Sequence, residues 1–158
     1  MRIGIGYDAH PLAAGRPLVL GGVSIPFDQG LQGWSDADVI VHAIIDALLG
    51  AAALGDIGRH FPSSDPAYQG ISSIILLDRT GHMLAEHGWR VVNIDATIVA
   101  ERPLVGPYTD QMRHNISRAL SIDTDQVGLK ATTSDGLGFA GRAEGIAAYA
   151  VALVEHAE

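Results

Sequence analysis

The chain has 158 residues, a formal net charge of −8 with histidine neutral, one lysine (Lys130) among ten basic residues, and no cysteine. This acidic balance argues against a nucleic-acid partner, because phosphate backbones are bound by basic surfaces. The lack of cysteine excludes disulfide frameworks and thiolate chemistry. No signal-like start and no run of roughly 20 apolar residues is present, so we expect a cytoplasmic protein without a membrane partner, folded as one domain over 1–158.

The first predicted element is a strand over the short apolar run Arg2–Tyr7. Side chains two positions apart on a strand point to the same face, so Asp8 and His10 leave its end together. We expect Pro11 to stop the ladder there. A carboxylate and an imidazole directed at one point suit a divalent metal, zinc first. The same pair is also typical of a turn cap or a surface pair, and a metal site needs a third ligand.

A hairpin and a long helix are predicted next. Two short β-like runs, 17–20 and 23–27, flank a Gly-Gly pair, as in hairpins with two-residue turns. After a loop over 30–34, Ser35 or Asp36 is the expected N-cap of a helix over about 38–54. This helix is apolar nearly all round, which indicates burial on most sides.

Two polar residues interrupt this apolar helix. His42 and Asp46 lie four residues apart, and hence on the same helix face. One interpretation is a buried His–Asp hydrogen bond with no further role. The other makes His42 the third metal ligand, with Asp46 as its partner or as an independent polar contact.

The remaining elements alternate helices and strands. After a turn-rich loop, we predict a helix from Ser72 or Ser73 to about His87, a strand over 89–101, a helix over about 107–120, and strands over 127–132 and 145–154. The order β, hairpin, α, α, β, α, β, β predicts an α+β fold, a mixed β-sheet with helices packed on one face. The apolar helix and the Ala-rich last strand favour an oligomer.

The loop from Thr132 to Gly145 is the second informative stretch. It is rich in hydroxyls and glycines, whose freed N–H groups suit phosphate oxygens. Asp135 is suited to a hard cation such as Mg²⁺, and Arg142 supplies a forked donor. The alternative interpretation is a long surface loop with helix-cap chemistry.

Five ordered segments carry a resemblance to a known family. They are Gly-Tyr-Asp-Ala-His ending at His10, Ser-Asp-Ala-Asp ending at Asp38 with His42 downstream, the run 46–58, Phe61-Pro62 with Asp65-Pro66, and Lys-Ala-Thr-Thr through Gly-Arg-Ala-Glu-Gly145. With these segments the chain resembles the 2-C-methyl-D-erythritol 2,4-cyclodiphosphate synthases of the non-mevalonate isoprenoid pathway, from Met1 to about Val154.

The resemblance implies a homotrimer around a central cavity, with active sites between neighbouring subunits. It implies an intramolecular phosphoryl transfer on 4-diphosphocytidyl-2-C-methyl-D-erythritol 2-phosphate, in which the 2-phosphate attacks the β-phosphorus and CMP leaves. By position, Asp8, His10 and His42 match ligands of zinc or another divalent transition metal. Asp135 matches the segment that holds Mg²⁺ or Mn²⁺ with the substrate diphosphate.

The resemblance also implies a set of substrate contacts and two catalytic positions. Contacts near the metal are Asp8, Ala9, His10, Trp34 and Ser35. Contacts to the sugar and polyol hydroxyls are Asp56, Ile57, Gly58, Phe61, Pro62, Ser63, Ser64 and Asp65. The cytidine pocket comprises Ala100, Glu101, Arg102, Pro103, Leu104, Val105 and Gly106. The diphosphate segment comprises Thr132, Thr133, Ser134 and Asp135, with Phe139 and Arg142 completing the set. Thr133 and Trp34 stand at the positions of transition-state-stabilising groups.

Four positions depart from the family pattern. Trp34 replaces a histidine, and an indole donates only through its N–H and cannot become cationic. Asp135 replaces a frequent Glu, Ser63 a frequent Asp, and Tyr149 a Glu that in some relatives faces the central cavity. These departures leave an alternative open, a catalytically weak zinc-bound trimer that binds nucleotide or isoprenoid-diphosphate ligands. A metal-dependent phosphohydrolase is a third hypothesis.

Overall fold

The computed structural model describes residues 1–157, and all bounds below refer to them. The strands are β1 (Arg2–Ala14), β2 (Leu18–Leu20), β3 (Val23–Ile25), β4 (Gln29–Leu31), β5 (Trp89–Val99), β6 (Val127–Thr132) and β7 (Gly145–His156). The helices are α1 (Val39–Ala51), α2 (Ile57–His60), α3 (Ser73–Glu86), α4 (Thr109–Leu120) and α5 (Gly138–Gly141). Single 3-10 turns cover Pro66–Tyr68, Gly106–Tyr108 and Thr124–Gln126.

Five strands form one mixed sheet in the order β4, β1, β7, β5, β6, and β2 pairs with β3 in a separate hairpin. Strands β5 and β6 run parallel, whereas the other neighbours in the sheet are antiparallel. Helices α1, α3 and α4 pack on this sheet. The predicted α+β class is therefore confirmed. Within residues 1–157, no helix combines the length and the apolar character needed to cross a lipid bilayer.

Helix α1 lies directly against the backbone of β1. A Cβ atom built on Gly6 would lie 1.8 Å from the carbonyl oxygen of Ala43, and one built on Gly4 would lie 2.1 Å from that of Ala47. Only glycine permits so close an approach of strand and helix. Every apolar side chain of α1 is buried, as its all-round apolar sequence predicts.

The start of α1 differs from the prediction. The N-cap is Asp38, not Ser35 or Asp36, and its carboxylate accepts the N–H of Val41 at 3.3 Å. The same carboxylate accepts the N–H groups of Gly21 and Gly22 in the β2–β3 turn, at 2.9 and 2.8 Å. One buried side chain therefore fixes both the helix start and the hairpin turn, a long-range contact that local capping patterns do not reveal.

The expectation that Pro11 ends the first strand was wrong. Pro11 is the last β1 residue paired with β7, opposite Gly145, and the three residues after it pair with β4. Strand β4 begins at Gln29 and takes up part of the predicted loop. Proline has no N–H, but its carbonyl accepts the N–H of Gln32 at 2.9 Å, so the strand changes its partner instead of ending.

The second face of the sheet carries large apolar side chains. On β1, Ile3 and Ile5 are each 72% exposed, and Tyr7 is exposed beside them. Tyr149 and Val151, directly opposite Tyr7 and Ile5 on β7, are exposed as well. We call these five residues the open sheet face. A contiguous apolar patch of this kind marks an interaction surface.

Candidate metal centre and adjoining cavities

Three metal-ligating side chains meet where β1 passes α1. Oδ2 of Asp8 lies 2.8 Å from Nε2 of His10 and 3.0 Å from Nδ1 of His42, and the two nitrogens are 3.3 Å apart. Ligand atoms bound tetrahedrally to zinc at about 2.0–2.1 Å lie about 3.3–3.4 Å from one another. Small outward movements of the three groups would therefore make room for a zinc ion.

The strand and the helix place these side chains through their periodicities. Asp8 and His10 follow Gly4 and Gly6 on the face of β1 that contacts α1. His42 precedes Ala43, whose carbonyl lies against Gly6. The close contact of strand and helix therefore sets His42 beside the strand residues, and the three groups form a cluster with metal-binding geometry. Their predicted convergence is confirmed.

The surroundings of His10 indicate which ring nitrogen carries the proton. Nδ1 of His10 lies 2.9 Å from the carbonyl oxygen of Gln32, which can only accept a hydrogen bond. Nδ1 is therefore the donor, and in the neutral imidazole the lone pair of Nε2 points towards Asp8.

A second relay orients His42. Its Nε2 lies 2.8 Å from Oγ of Ser73, and the Ser73 hydroxyl donates to the carboxylate of Asp36. Because the Ser73 hydrogen is directed at Asp36, the Ser73 oxygen accepts from His42, and the Nδ1 lone pair of His42 faces Asp8. Two lone pairs and a carboxylate thus converge on one point, an arrangement that a cation stabilises. From the sequence, Ser73 and Asp36 are expected only as helix caps, and no local pattern indicates this role.

The charges of the cluster favour a bound cation. Burial raises the pKa of Asp8, but the hydrogen bonds and charges that His10 and His42 supply when protonated outweigh it and hold that pKa well below its usual range. Burial likewise lowers the pKa of His10, yet the contact with Asp8 outweighs it, and the net shift is upward. Asp8 is therefore an anion at neutral pH, partly buried between two imidazoles.

Asp46 is not a partner of His42. Its Oδ1 accepts the N–H of Ile57 at 2.8 Å and so anchors the first residue of α2. The N-cap of α2 is Asp56, whose carboxylate accepts the N–H of Arg59 at 2.9 Å. The interpretation as a buried pair of His42 with Asp46 was therefore wrong, and the independent polar contact is what the structure shows.

A cavity of about 240 Å³ adjoins the cluster, and we call it the metal-side cavity. Its lining contains many of the residues that the sequence singled out: Asp8, His10, Trp34, Ser35, His42, Ile57, Gly58, Phe61 and Ser63. Tyr68 and Leu76 complete the wall and were not among the predicted residues.

A second cavity, of about 470 Å³, lies between the end of β5 and β6. Its lining contains six of the seven residues predicted for the cytidine pocket, together with two predicted hydroxyl residues: Ala100, Glu101, Pro103, Leu104, Val105, Gly106, Thr132 and Thr133. Thr109, Leu129, Lys130 and Ala131 line it as well, and were not predicted. We call this the β5–β6 cavity.

The other predicted residues lie outside both linings: Ala9, Asp56, Pro62, Ser64, Asp65, Arg102, Ser134, Asp135, Phe139 and Arg142. Asp135 is exposed, has a positive φ of 55°, and is not part of the cluster of Asp8, His10 and His42. Nε of Arg142 donates to Glu144 at 2.8 Å. A role of Asp135 with a second cation stays a prediction.

Comparison with known proteins gives consistent matches along the chain. The YgbB family model matches residues 1–155. The 2-C-methyl-D-erythritol 2,4-cyclodiphosphate synthase of Syntrophomonas wolfei is 60% identical over 99% of this chain and 100% of that protein. The bifunctional IspDF of Campylobacter jejuni has a TM-score of 0.94 and 37% identity over 98% of this chain and 42% of that longer chain. The CDP complex of IspF from Plasmodium falciparum has a TM-score of 0.87 and 31% identity over 99% of this chain and 97% of that one.

Proposed function

The chain belongs to the YgbB family, and from this membership we propose that it cyclises 4-diphosphocytidyl-2-C-methyl-D-erythritol 2-phosphate to 2-C-methyl-D-erythritol 2,4-cyclodiphosphate with release of CMP. The 2-phosphate attacks the β-phosphorus of the same molecule, the bond from that phosphorus to the CMP oxygen breaks, and no water is added. This makes the protein a phosphorus–oxygen lyase of isoprenoid biosynthesis. The observation that carries the proposal is the 60% identity to a synthase over 99% of this chain.

The residues at the cluster fit a zinc ion or another divalent transition metal. Asp8, His10 and His42 would hold it, and their mutual distances of 2.8 to 3.3 Å support this assignment. When bound, such an ion supplies positive charge and an open coordination position to anionic ligands. A chain with a net charge of −8 needs a local cationic centre to hold a substrate with several phosphates.

The two cavities suit the two ends of the substrate. The metal-side cavity would take the methylerythritol part, with the segments 56–58 and 61–65 contacting its hydroxyls. The β5–β6 cavity would take the cytidine through the segment 100–106. The relative from Plasmodium falciparum, which binds CDP and shares the fold, supports a cytidine site.

The chain's own contribution to the chemistry is orientation and charge stabilisation. The attacking phosphate is already anionic, so no side chain has to remove a proton from it. The barriers are repulsion between phosphates and the entropy of closing a ring, and a site that holds both substrate ends lowers the second. Thr133, at the wall of the β5–β6 cavity, would donate to charge developing at the attacked phosphorus. Asp135 would hold Mg²⁺ or Mn²⁺ with the diphosphate, and Phe139 and Arg142 would complete the contacts.

We include a homotrimer in this proposal. The open sheet face presents isoleucine, tyrosine and valine side chains to solvent in the isolated chain, and association would remove them from water. In this proposal the active sites lie between neighbouring chains, as the family resemblance implies.

The test is incubation of the zinc-loaded protein with the diphosphocytidyl substrate and Mg²⁺, followed by phosphorus NMR. We expect CMP and the cyclic diphosphate in equal amounts. A linear product that contains added water would instead identify a phosphohydrolase. Tight binding without CMP release would identify a binding protein with weak catalysis. The variant His42→Ala should lose the reaction, whereas His82→Ala, on the exposed face of α3, should keep it.

A further inference from the structure

Trp34 connects the metal site to the loop that follows α2. Its indole Nε1 donates to the carbonyl oxygen of Asp65 at 3.0 Å. Its own carbonyl oxygen accepts the N–H of Gly70 at 2.8 Å. The two bonds flank the Pro66–Tyr68 turn, so one residue holds both ends of this turn.

The residues next to Trp34 are fixed on the metal-site side. Oγ of the buried Ser35 lies 3.1 Å from Nε2 of His42. The N–H of Asp36 donates to the carbonyl oxygen of Ile71 at 3.0 Å. The stretch 34–36 therefore lies between a candidate metal ligand and the loop 61–71, and it is hydrogen-bonded to both.

The only donor of the indole is already used. An indole has one N–H and no acceptor, so an N–H directed at the Asp65 carbonyl does not reach a substrate phosphate without breaking that bond. Trp34 is 38% exposed and lines the metal-side cavity beside His10 and His42. Trp34 therefore contributes part of the cavity wall and a hydrogen bond that holds the loop. It contributes neither a proton nor a positive charge to the site.

We propose that Trp34 is a positioning residue whose indole N–H holds the segment Phe61–Asp65 at the rim of the metal-side cavity before any ligand arrives. As a statement about substrate binding, this rests on the proposed function, since that segment would contact the polyol hydroxyls. A loop that is already ordered loses less conformational entropy when the substrate binds. Loss of the N–H should therefore weaken substrate binding more than it slows the chemical step.

The first test uses the zinc-loaded, ligand-free protein and the variant Trp34→Phe, which keeps an aromatic ring and deletes the donor. We expect the backbone amides of Asp65 and Ala67, which donate to the Pro62 carbonyl oxygen and to the Asp65 carboxylate, to exchange with solvent about five- to tenfold faster in the variant, the effect of losing one hydrogen bond. The control is Trp89→Phe. Trp89 pairs with His156 and His10 with Ile146, so the two sites are ten residues apart along β7, about 33 Å at 3.3 Å per residue.

The second test compares the kinetics of the same variants. We expect Trp34→Phe to raise KM about five- to tenfold while kcat stays within about twofold, and Trp89→Phe to change neither. Unchanged amide exchange in Trp34→Phe would overturn the proposal. So would a loss of kcat with KM and exchange both unchanged, because that result would assign the indole to the transition state. If the wild-type protein released no CMP, the proposed function would fail, and the exchange measurement alone would still decide the role of Trp34.

Discussion

Ser73 and His42 face each other across the junction of α3 and α1, with Oγ of the serine 2.8 Å from Nε2 of the histidine. The serine is buried and directs its own hydrogen to Asp36, so it can only accept from the imidazole. The nitrogen of His42 that faces Asp8 is thereby left with its lone pair. Ser73 would not touch the metal, but its hydrogen bond leaves His42 in the tautomer that can bind the metal.

Replacement of this serine should weaken metal binding. In Ser73→Ala the imidazole loses its closest acceptor, and we expect the zinc affinity to fall about tenfold, the lower end of what such supporting partners contribute, because Oγ of Ser35 remains 3.1 Å away. Competition with a calibrated chelator measures this. Ser72→Ala is the matched control, because Ser72 is exposed and makes no side-chain capping bond. Equal zinc affinities in the two variants would contradict the assigned tautomer.

Zinc should stabilise the fold through the cluster. An ion that binds only the folded chain adds about 2.7 kcal/mol at a free concentration of 100 times Kd. We therefore expect chelator-treated protein to gain thermal stability when zinc is added, and His42→Ala to gain none. The variant His82→Ala should respond as wild type, because His82 is exposed. Thermal unfolding followed by circular dichroism measures the shift, and an equal gain in His42→Ala would place the zinc elsewhere.

The glycines of β1 should be hard to replace. In Gly6→Ala the new methyl carbon would lie 1.8 Å from the carbonyl oxygen of Ala43, which has no flexible end that could yield. We expect a loss of about 3 kcal/mol or more in the free energy of unfolding, together with weaker zinc binding, since α1 must move away from Asp8. Urea titration measures the first effect. Gly50→Ala should instead be neutral or stabilise by up to about 1 kcal/mol, because nothing lies within 4 Å of its Cβ position.

The open sheet face gives a prediction about assembly. Ile5→Asp places a charge in the middle of this face, and we expect the particle mass to fall from three chains to one. Light scattering after size-exclusion chromatography measures the mass. Ile75→Asp is the control, because Ile75 is also exposed but lies on α3, away from that face. A trimer that survives Ile5→Asp would show that another surface holds the copies together.

Local sequence periodicity was enough to predict the cluster of Asp8, His10 and His42, but not the residues that hydrogen-bond to it and orient it. The two-residue repeat of a strand aligned Asp8 with His10, and His42 stood out as a polar residue in an apolar helix. The contacts of Ser73 with His42 and Asp36 span 31 and 37 residues, and no local pattern predicts them. The same limit explains why the sequence predicts Ser35 or Asp36 as the N-cap of α1, although Asp38 caps the helix and binds the hairpin turn.

The end of β1 was predicted wrongly for a related reason. Pro11 usually ends a ladder, but here the chain changes its partner from β7 to β4, and only the tertiary arrangement shows that a partner is available. The choice between the two interpretations of Asp46 likewise depended on where Ile57 lies after the chain has turned.

The position of Trp34 at the rim of the metal-side cavity also gives the protein an optical reporter. The chain has two tryptophans, and the second, Trp89, stacks on His156 with ring centroids 3.9 Å apart. With Trp89 replaced by phenylalanine, all remaining indole fluorescence would come from a ring that lines the cavity. The wavelength of its emission maximum would then shift as a ligand displaced water from the ring. The kinetics of ligand binding could therefore be followed without attaching a dye.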